Sequence, residues 1–498
     1  MNKLINSRIV HILLLIMAVC FVYANSLGGE FVFDDKAMIA AYDLVKDINN
    51  LPKAFVSATS VYGNVNYYRP LQTVSYMTDY FLWGNFTAGF HATNIIFHAM
   101  GAVLAYLFLL LLFGDALLAF AASILFAVHP VNGSIVAYIA GRADAMVLSA
   151  ILASLIFYVR SRYAGGGRTC YVLSLIFFAL ALLTKETAMM VPLVVIFFDK
   201  YGRKWTALRK GKPGGGAEYL PFLAILGVYI WFRFANMSFF VEGAAIPPPF
   251  AYRLMTVPYV LGQYLRLAIL PNDLHIGREI WVAMSPLDPR VVISAAVVAG
   301  VFYWGYRVRP QQKAVWFGLV WFALMMAPSL NVITPLFYTL ADNWMYIPSI
   351  GLYLALAATG KMIYERISRA ALPAAKYAVV LAFAAFVLAL GFVAVGYNRT
   401  WQNEIAVGMN TIKFNPFDHK VYNNMGVYYL GKGEFALAEQ SFQKCLEIKP
   451  DTGMAYFNLY RVYSAQGKRQ AALECLAKAK EMDPARVNIL IEKMGIKD

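Results

Sequence analysis

Charge is scarce in this chain. Only 14% of its 498 residues are Asp, Glu, Lys or Arg, against roughly a quarter in a soluble protein. That shortage excludes the string of soluble domains that length alone would suggest. Cysteine is scarcer still, and four residues make no disulfide framework. Cys20 and Cys170 fall in apolar runs and read as small core hydrophobes, while Cys445 and Cys475 lie in a polar tail. Several catalytic signatures are missing altogether. There is no Gly-rich loop ending in Lys-Ser/Thr, no dinucleotide glycine pattern and no Gly-x-Ser-x-Gly elbow. Nor is there a His/Cys/carboxylate cluster with zinc spacing. These absences argue against a cytosolic nucleotide as substrate.

What the sequence has is apolar surface. Sixty per cent of residues are hydrophobic and 15% aromatic, and the mean hydropathy is +0.56. The chain reads as an all-α polytopic membrane protein of about 11–12 spans. Apolar stretches fall near 9–27, 92–113, 116–131, 143–160, 169–184, 187–201, 219–238, 289–308, 314–330, 344–362 and 377–397. A further stretch at 254–270 contains Gln263 and Arg266 and is expected to be re-entrant or interfacial. Lys3 and Arg8 before the first run fit an uncleaved signal-anchor.

The net charge of +15 would point to nucleic acid in a soluble protein. Its placement says otherwise. Eighteen of the 43 basic residues sit in the segments 1–8, 160–168, 200–212, 305–313 and 361–376. Basic loops stay cytoplasmic, so the N-terminus is expected in the cytoplasm and the tail after 397 outside. The tail is nearly balanced, with 14 basic and 11 acidic residues. Nucleic acid is therefore not an expected partner.

The tail repeats itself. Segment 419–452 aligns with 453–486 at a period of 34. Tyr429, Gly433, Ala438 and Pro450 recur as Tyr463, Gly467, Ala472 and Pro484, while Tyr460 stands in the second unit where the first has Gly426. This is the tetratricopeptide pattern of two helices, a turn glycine and small residues at the helix contact. Such an array serves as a groove for a partner or as a structural cap. The expected division is a catalytic transmembrane domain at 1–397, with 28–90 as its first extracytoplasmic loop, and a TPR domain at 398–498.

Ionisable residues gather on the expected outer face. Asp34 and Asp35 lie just beyond the first span. Paired carboxylates beside an apolar wall have raised pKa values, which poises one as a general base. Such a pair also suits a divalent cation, so a metal stays open as a cofactor. Arg69, His129, Arg142, Asp144, Lys185 and Glu186 fall at span ends or loops on the same face. Asp342 does too. Together they place cations and carboxylates where a lipid phosphate and a hydroxyl acceptor would meet. His98, seven residues from His91 on one helix face, reads as a hydrogen-bonded core histidine.

These motifs, in this order, resemble the multi-span GT-C glycosyltransferases, and within them the transmembrane-and-tetratricopeptide O-mannosyltransferase family and its bacterial relatives. The matching pieces are Phe31-Val32-Phe33-Asp34-Asp35, Tyr68-Arg69-Pro70-Leu71, His91-Ala92-Thr93-Asn94, His129-Pro130-Val131-Asn132, Gly141-Arg142-Ala143-Asp144 and Lys185-Glu186-Thr187. Tyr346-Ile347-Pro348-Ser349 and Trp401-Gln402-Asn403-Glu404 follow. The resemblance implies a polyprenyl-phosphate-linked sugar as donor, drawn from the membrane lipid, and inverting transfer to a hydroxyl of a protein or glycan acceptor. It makes Asp34 or Asp35 the base. Arg142 and Lys185 are then the first candidates for the donor phosphate, with Arg69 and His129 behind them, and Asp144 and Glu186 alongside. Two departures stand out. Ser134 lies where the family carries Glu, and Asp342-Asn343 stand where it often carries Glu-Arg. A bacterial inner membrane with a periplasmic tail is the expected setting, or an ER membrane with a lumenal tail. A flippase or transporter and a non-enzymatic envelope scaffold are the competing readings. The first would place ionisable groups near the midplane, and the second needs no acidic pair.

Overall fold

The computed structural model describes residues 7–494 apart from 58, 62–64, 202–203, 205–206, 208–215, 237–247, 279–280, 333–338 and 371–372. The chain divides into two compact units. One comprises residues 1–274 with 280–399, and the other residues 275–279 with 400–498.

The first unit is helical. Its helices are α1 (Arg8–Tyr23), the short α2 (Asp43–Lys46) and α3 (Leu51–Ala54), α4 (Pro70–Trp83), α5 (Thr87–Phe113), α6 (Ala116–Val128), α7 (Gly133–Val136), α8 (Arg142–Tyr163), α9 (Gly167–Leu182), α10 (Val191–Lys200), α11 (Gly216–Asn236), α12 (Phe250–Leu267), α13 (Pro289–Val308), α14 (Lys313–Met326), α15 (Tyr346–Arg369) and α16 (Pro373–Asn398). Among the described residues the exception is a hairpin in the 28–90 loop, in which β1 (Thr59–Val61) pairs antiparallel with β2 (Val65–Tyr67).

Each of the eleven apolar stretches read from the sequence carries helix over its described residues, but the helices differ in length. Among the described residues, seven helices are long and apolar enough to cross a membrane, or eight if the bent pair Ala116–Val128 and Pro130–Val136 is one span. Gly167–Leu182 and Lys313–Ser329 are apolar but shorter. The chain is thus a multi-pass membrane protein, and among the described residues fewer helices reach full span length than hydropathy implied, because hydropathy sees composition and not where a helix stops. Pro130 stops α6: it disfavours helical geometry at His129, which is extended. The stretch read at 254–270 is α12, which carries Pro258 inside it and is not among the seven.

Burial sorts the spans. In α8 78% of the apolar window is buried within the protein, but in α11, α13 and α16 only 11%. The first packs among α5, α9, α10 and α15, while the others present apolar faces outward, as lipid-facing helices do. Cys20, expected in the core, is on such an exposed face. It occupies the lipid side of α1, whose buried residues are His11, Leu15, Val19, Val22 and Tyr23. His98 is fully buried, with its Nδ1 2.7 Å from the Tyr346 hydroxyl and its Nε2 3.1 Å from the Ala127 carbonyl. It is the hydrogen-bonded core histidine expected.

The second unit is a helical repeat. Here α17 (Glu404–Phe414) precedes the pairs α18 (His419–Gly431) and α19 (Phe435–Ile448), then α20 (Gly453–Ala465) and α21 (Arg469–Met482), with α22 (Pro484–Met494) last. Gly433 and Gly467, 34 residues apart, turn each pair at φ +78° and +72°, a conformation that costs glycine little. Ala438, Phe442, Leu459 and Val462 form one buried cluster, and Phe457, Leu476, Ala479 and Val487 the next. Each repeat thus buries its apolar face on its neighbour.

Candidate active site

The acidic pair sits in a tightly held loop. After a 3-10 turn (Ala24–Gly28), Gly29 passes so close to His91 that a side-chain Cβ there would lie 2.8 Å from its Nε2. Phe33 adopts φ +45°, which is rare and strained for a residue with a bulky side chain. A π-helical turn, Lys36–Ala40, begins immediately after the two aspartates.

The two aspartates are not equivalent. Asp35 is fully buried. Its Oδ2 accepts from the Val32 amide at 3.1 Å and its Oδ1 from the Ala140 amide at 2.7 Å. Burial raises its pKa well above the ordinary carboxylate range, against the pull of those two amides. Asp34 is half-buried. Its amide donates to the Tyr138 hydroxyl at 3.2 Å. Burial raises the Asp34 carboxyl too, while Tyr138 and the positive charge of Arg69 act to lower it.

Segment 135–140 therefore cradles the acidic loop, and Asn94 and Arg142 hold that segment. Asn94 Nδ2 lies 3.0–3.4 Å from the carbonyls of Ile135, Val136, Tyr138 and Ile139. The Asn94 Oδ1 accepts from Arg142 Nε at 2.7 Å. Arg142 is 0% exposed. Its other nitrogens pair with Asp79 at 2.5 Å, the Phe90 carbonyl at 2.8 Å and the Ser75 hydroxyl at 3.2 Å. Its guanidinium also lies 4.8 Å from the Tyr76 ring centre. A cation so enclosed has no face left for a lipid phosphate. Arg142, a first candidate for the donor phosphate, thus lies beneath the acidic loop with its nitrogens taken up by protein partners.

His129 is enclosed in the same way. It is fully buried, its Nδ1 accepts from the Val131 amide at 3.2 Å, and its Nε2 lies 3.3 Å from the Ala268 carbonyl. Those contacts follow from its position ahead of Pro130 at the α6 bend, where the ring caps the short turn Pro130–Asn132. Asp342 is buried at the turn that opens α15.

Arg69 and Glu186 make the more accessible half of the site. Arg69 precedes α4, whose first residue is Pro70, and the Leu71 amide donates to the Leu183 carbonyl at 3.1 Å. That bond joins the start of α4 to the end of α9. Arg69 then meets Glu186 as a fork, Nη2 to Oε1 at 2.7 Å and Nε to Oε2 at 3.3 Å. The guanidinium lies 4.2 Å from the Tyr67 ring centre. Burial works to raise the Glu186 pKa, but Arg69, Lys185 and Arg233 outweigh it and bring it down to about 2. Beside this fork, Lys185 Nζ donates to both oxygens of Asp144 at 2.7 Å.

The fold thus places Arg69 in electrostatic range of both Asp34 and Glu186, with Asp144 and Lys185 next to them. Three residues not singled out from the sequence belong to the arrangement: Asn94, Tyr138 and Arg233. Asn94 was legible only as part of the His-Ala-Thr-Asn piece. Tyr138 and Arg233 carry no local signal, since a Tyr or Arg at a span end is ordinary. Among the described residues, no group of three or more His, Cys, Asp or Glu side chains is placed to hold a metal ion.

The class this defines is a multi-pass helical membrane protein with an ionic site at one end of its spans and a repeat tail. The tail matches the tetratricopeptide repeat family at 419–452 and again at 455–486. Over nearly its whole length the chain is similar to Protein O-mannosyl-transferase TMTC3 of Homo sapiens, at 25% identity across 96% of this chain and 56% of that one. It is likewise similar to Protein O-mannosyl-transferase F38B6.6 of Caenorhabditis elegans, at 25% identity across 88% of this chain and 63% of that one. The resemblance read from the motifs holds along the chain, which spans 56–63% of the length of these two relatives. Among solved structures it is similar to a crystal structure of ArnT from Cupriavidus metallidurans bound to undecaprenyl phosphate, with a TM-score of 0.43 and 12% identity over 83% of this chain and 80% of that one.

Proposed function

We propose that this protein is a membrane glycosyltransferase that moves a sugar from a polyprenyl-phosphate donor to a hydroxyl acceptor on the extracytoplasmic face, with inversion, and that Asp34 is the base. The observation that carries this reading is the asymmetry of the acidic pair. Asp34 is half-buried beside a guanidinium, while Asp35 is sealed and spends both oxygens on backbone amides. The two relatives, both protein O-mannosyl-transferases by name, support the reaction class. Strain at Phe33 supports a functional loop.

In this reading the acceptor oxygen attacks the anomeric carbon from the face opposite the phosphate. The carbon–oxygen bond to phosphate breaks, and the lipid phosphate leaves with the electron pair. The acceptor proton passes to the Asp34 carboxylate. Arg69 stabilises the charge gathering on the departing phosphate, with Lys185 beside it, since cations aimed at developing charge lower the barrier most. Asp35, Asn94, Arg142 and His129 hold the frame. The domain division at 397/398 and the orientation, with basic loops cytoplasmic and the TPR tail outside, complete the proposal, with the tail as a groove for the acceptor.

The test is transfer from polyprenyl-phosphate mannose, with other polyprenyl-phosphate sugars in parallel because Ser134 and Asp342-Asn343 depart from the resembled pattern. Asp34→Asn in folded protein is expected to lower transfer by about 10²–10⁴-fold. Full activity in the Asp34→Asn, Asp35→Asn double variant would end the reading. Lipid flux without covalent transfer would replace it with a flippase.

A further inference from the structure

We propose that Asn423, Asn458 and Arg461, on the face shared by the first helices of the two repeats, bind a peptide that bears a carboxylate. The proposal deepens the reading of the tail as an acceptor groove, on which its use in transfer rests, and names the chemistry of that acceptor.

The three side chains form a row. Asn423 lies on α18, and Asn458 and Arg461 lie on α20, one turn apart and so on one face of that helix. Asn458 is buried, while Asn423 and Arg461 are half-buried. Asn458 Nδ2 donates to the Asn423 Oδ1 at 3.1 Å. Arg461 Nη1 donates to the Asn458 Oδ1 at 3.4 Å. That order is forced. A guanidinium has no acceptor, so the Asn458 oxygen turns to Arg461 and its nitrogen to Asn423, whose own oxygen is thereby engaged. Both free ends of the row are donors: the Asn423 amide nitrogen and the remaining N–H groups of Arg461. A ligand that fits must accept.

The charge at one end is unmatched. Among the described residues no carboxylate lies within ion-pair distance of Arg461. The acids nearby in the chain have other partners, Glu447 with Lys444 and Glu439 with Lys468 and the Tyr463 hydroxyl. Burial lowers the Arg461 pKa with no anion to offset it. A half-buried cation without a partner costs stability, whereas Arg142 is matched by Asp79. A planar guanidinium with open N–H groups takes a carboxylate as a fork. The Asn423 amide suits a backbone carbonyl, which every residue of a peptide supplies. Packed helices lie about 8–10 Å apart, a distance that an extended chain covers in about three residues at ~3.3 Å each. Val427, one turn beyond Asn423 on α18, is 37% exposed and offers apolar surface beside the row.

The test uses the purified full chain with no sugar donor present, and reads peptide binding by fluorescence anisotropy. The probes are Ser/Gly peptides of one length: one with Glu side chains and an amidated C-terminus, one with Gln in place of Glu, and the Gln peptide with a free C-terminus. A heparin fragment is the anion that is not a peptide. The wild type is expected to bind a carboxylate peptide about 10-fold more tightly than the amidated Gln peptide. If the Glu peptide binds best, side chains supply the carboxylate, and if the free C-terminus does, a chain end supplies it. Arg461→Ala is expected to remove the preference. Asn458→Asp gives Arg461 a carboxylate of its own and is expected to do the same, which covers the case in which the alanine variant unfolds. Asn423→Ala is expected to weaken all three peptides several-fold alike. A preference unchanged in both Arg461→Ala and Asn458→Asp would overturn the proposal. So would Arg461-dependent binding of the heparin fragment that exceeds binding of either carboxylate peptide, because the face would then be a glycan site. Arg461-dependent peptide binding in a protein that transfers no sugar would keep this inference and end the transferase reading. Sugar transfer without Arg461-dependent peptide binding would do the reverse.

Discussion

Two arginine–carboxylate pairs lie close together at this end of the protein and do opposite things. Arg142 pairs with Asp79 at 2.5 Å with both side chains out of reach of solvent, 0% and 4% exposed. Arg69 pairs with Glu186 at 2.7 Å with the side chains 12% and 29% exposed. Arg142 has every direction filled, by Asn94, Phe90, Ser75 and the Tyr76 ring. Arg69 offers one fork to one carboxylate and an aromatic face below. The difference teaches that two cations at span ends, each paired with a carboxylate, can differ wholly in how far their neighbours enclose them and so in whether a ligand could reach them. Burial and donor saturation decide, and charge alone does not.

The strongest way to break that comparison is Arg142→Ala. It leaves Asp79 buried without its partner, which costs about 3–5 kcal/mol. A steep loss of thermal stability in detergent is expected, and an unchanged melting temperature would make Arg142 available for ligand after all. Next comes Arg69→Ala. Its loss from stability is expected to be within about 1 kcal/mol, because the pair is partly exposed. Its loss from kcat/KM is expected at about 10²-fold if the fork stabilises the departing phosphate. Equal losses of stability in the two variants would erase the distinction.

The smallest effect is in the pH dependence. Asp34 must be ionised to accept a proton, and burial raises its pKa. The acid limb of kcat/KM is therefore expected above the ordinary Asp value of about 3.9. Tyr138→Phe removes a group that lowers the Asp34 pKa, so it should move that limb further up by a fraction of a unit. The linked stabilities have opposite signs. Asp34 and Asp35, both raised, contribute stability below the ordinary carboxylate range and lose it as pH rises through their folded values. Glu186, lowered to about 2, contributes above the ordinary range and loses it only as pH falls toward 2. The Arg69 fork is thus ionised throughout any practical assay.

Much of the architecture was legible in the residues. Long apolar runs force helices in a bilayer, since every backbone amide must be satisfied within its own segment. The 34-residue period of the tail reflects a local unit that repeats, so Gly433 and Gly467 mark their turns without any tertiary information. The acidic pair was visible because two adjacent carboxylates after an apolar span are unusual wherever they fold. The roles of the cations were not visible. Arg69 meets Glu186 across 117 positions of chain, and Arg142 meets Asn94 across 48. No local pattern encodes whether such a partner arrives or how completely it encloses the charge.

The amino-acid sequence by itself determined that this chain lives in a membrane, carries a helical-repeat tail and places two carboxylates just past its first span. Those outcomes follow from hydrophobicity and periodicity, which act within one segment at a time. Only the tertiary structure decided that Asp35 is an anchor while Asp34 is half open, that Arg142 is enclosed while Arg69 has an open side, and that Arg233 joins them. Those outcomes depend on desolvation and on partners from distant helices, and neither exists until the helices pack.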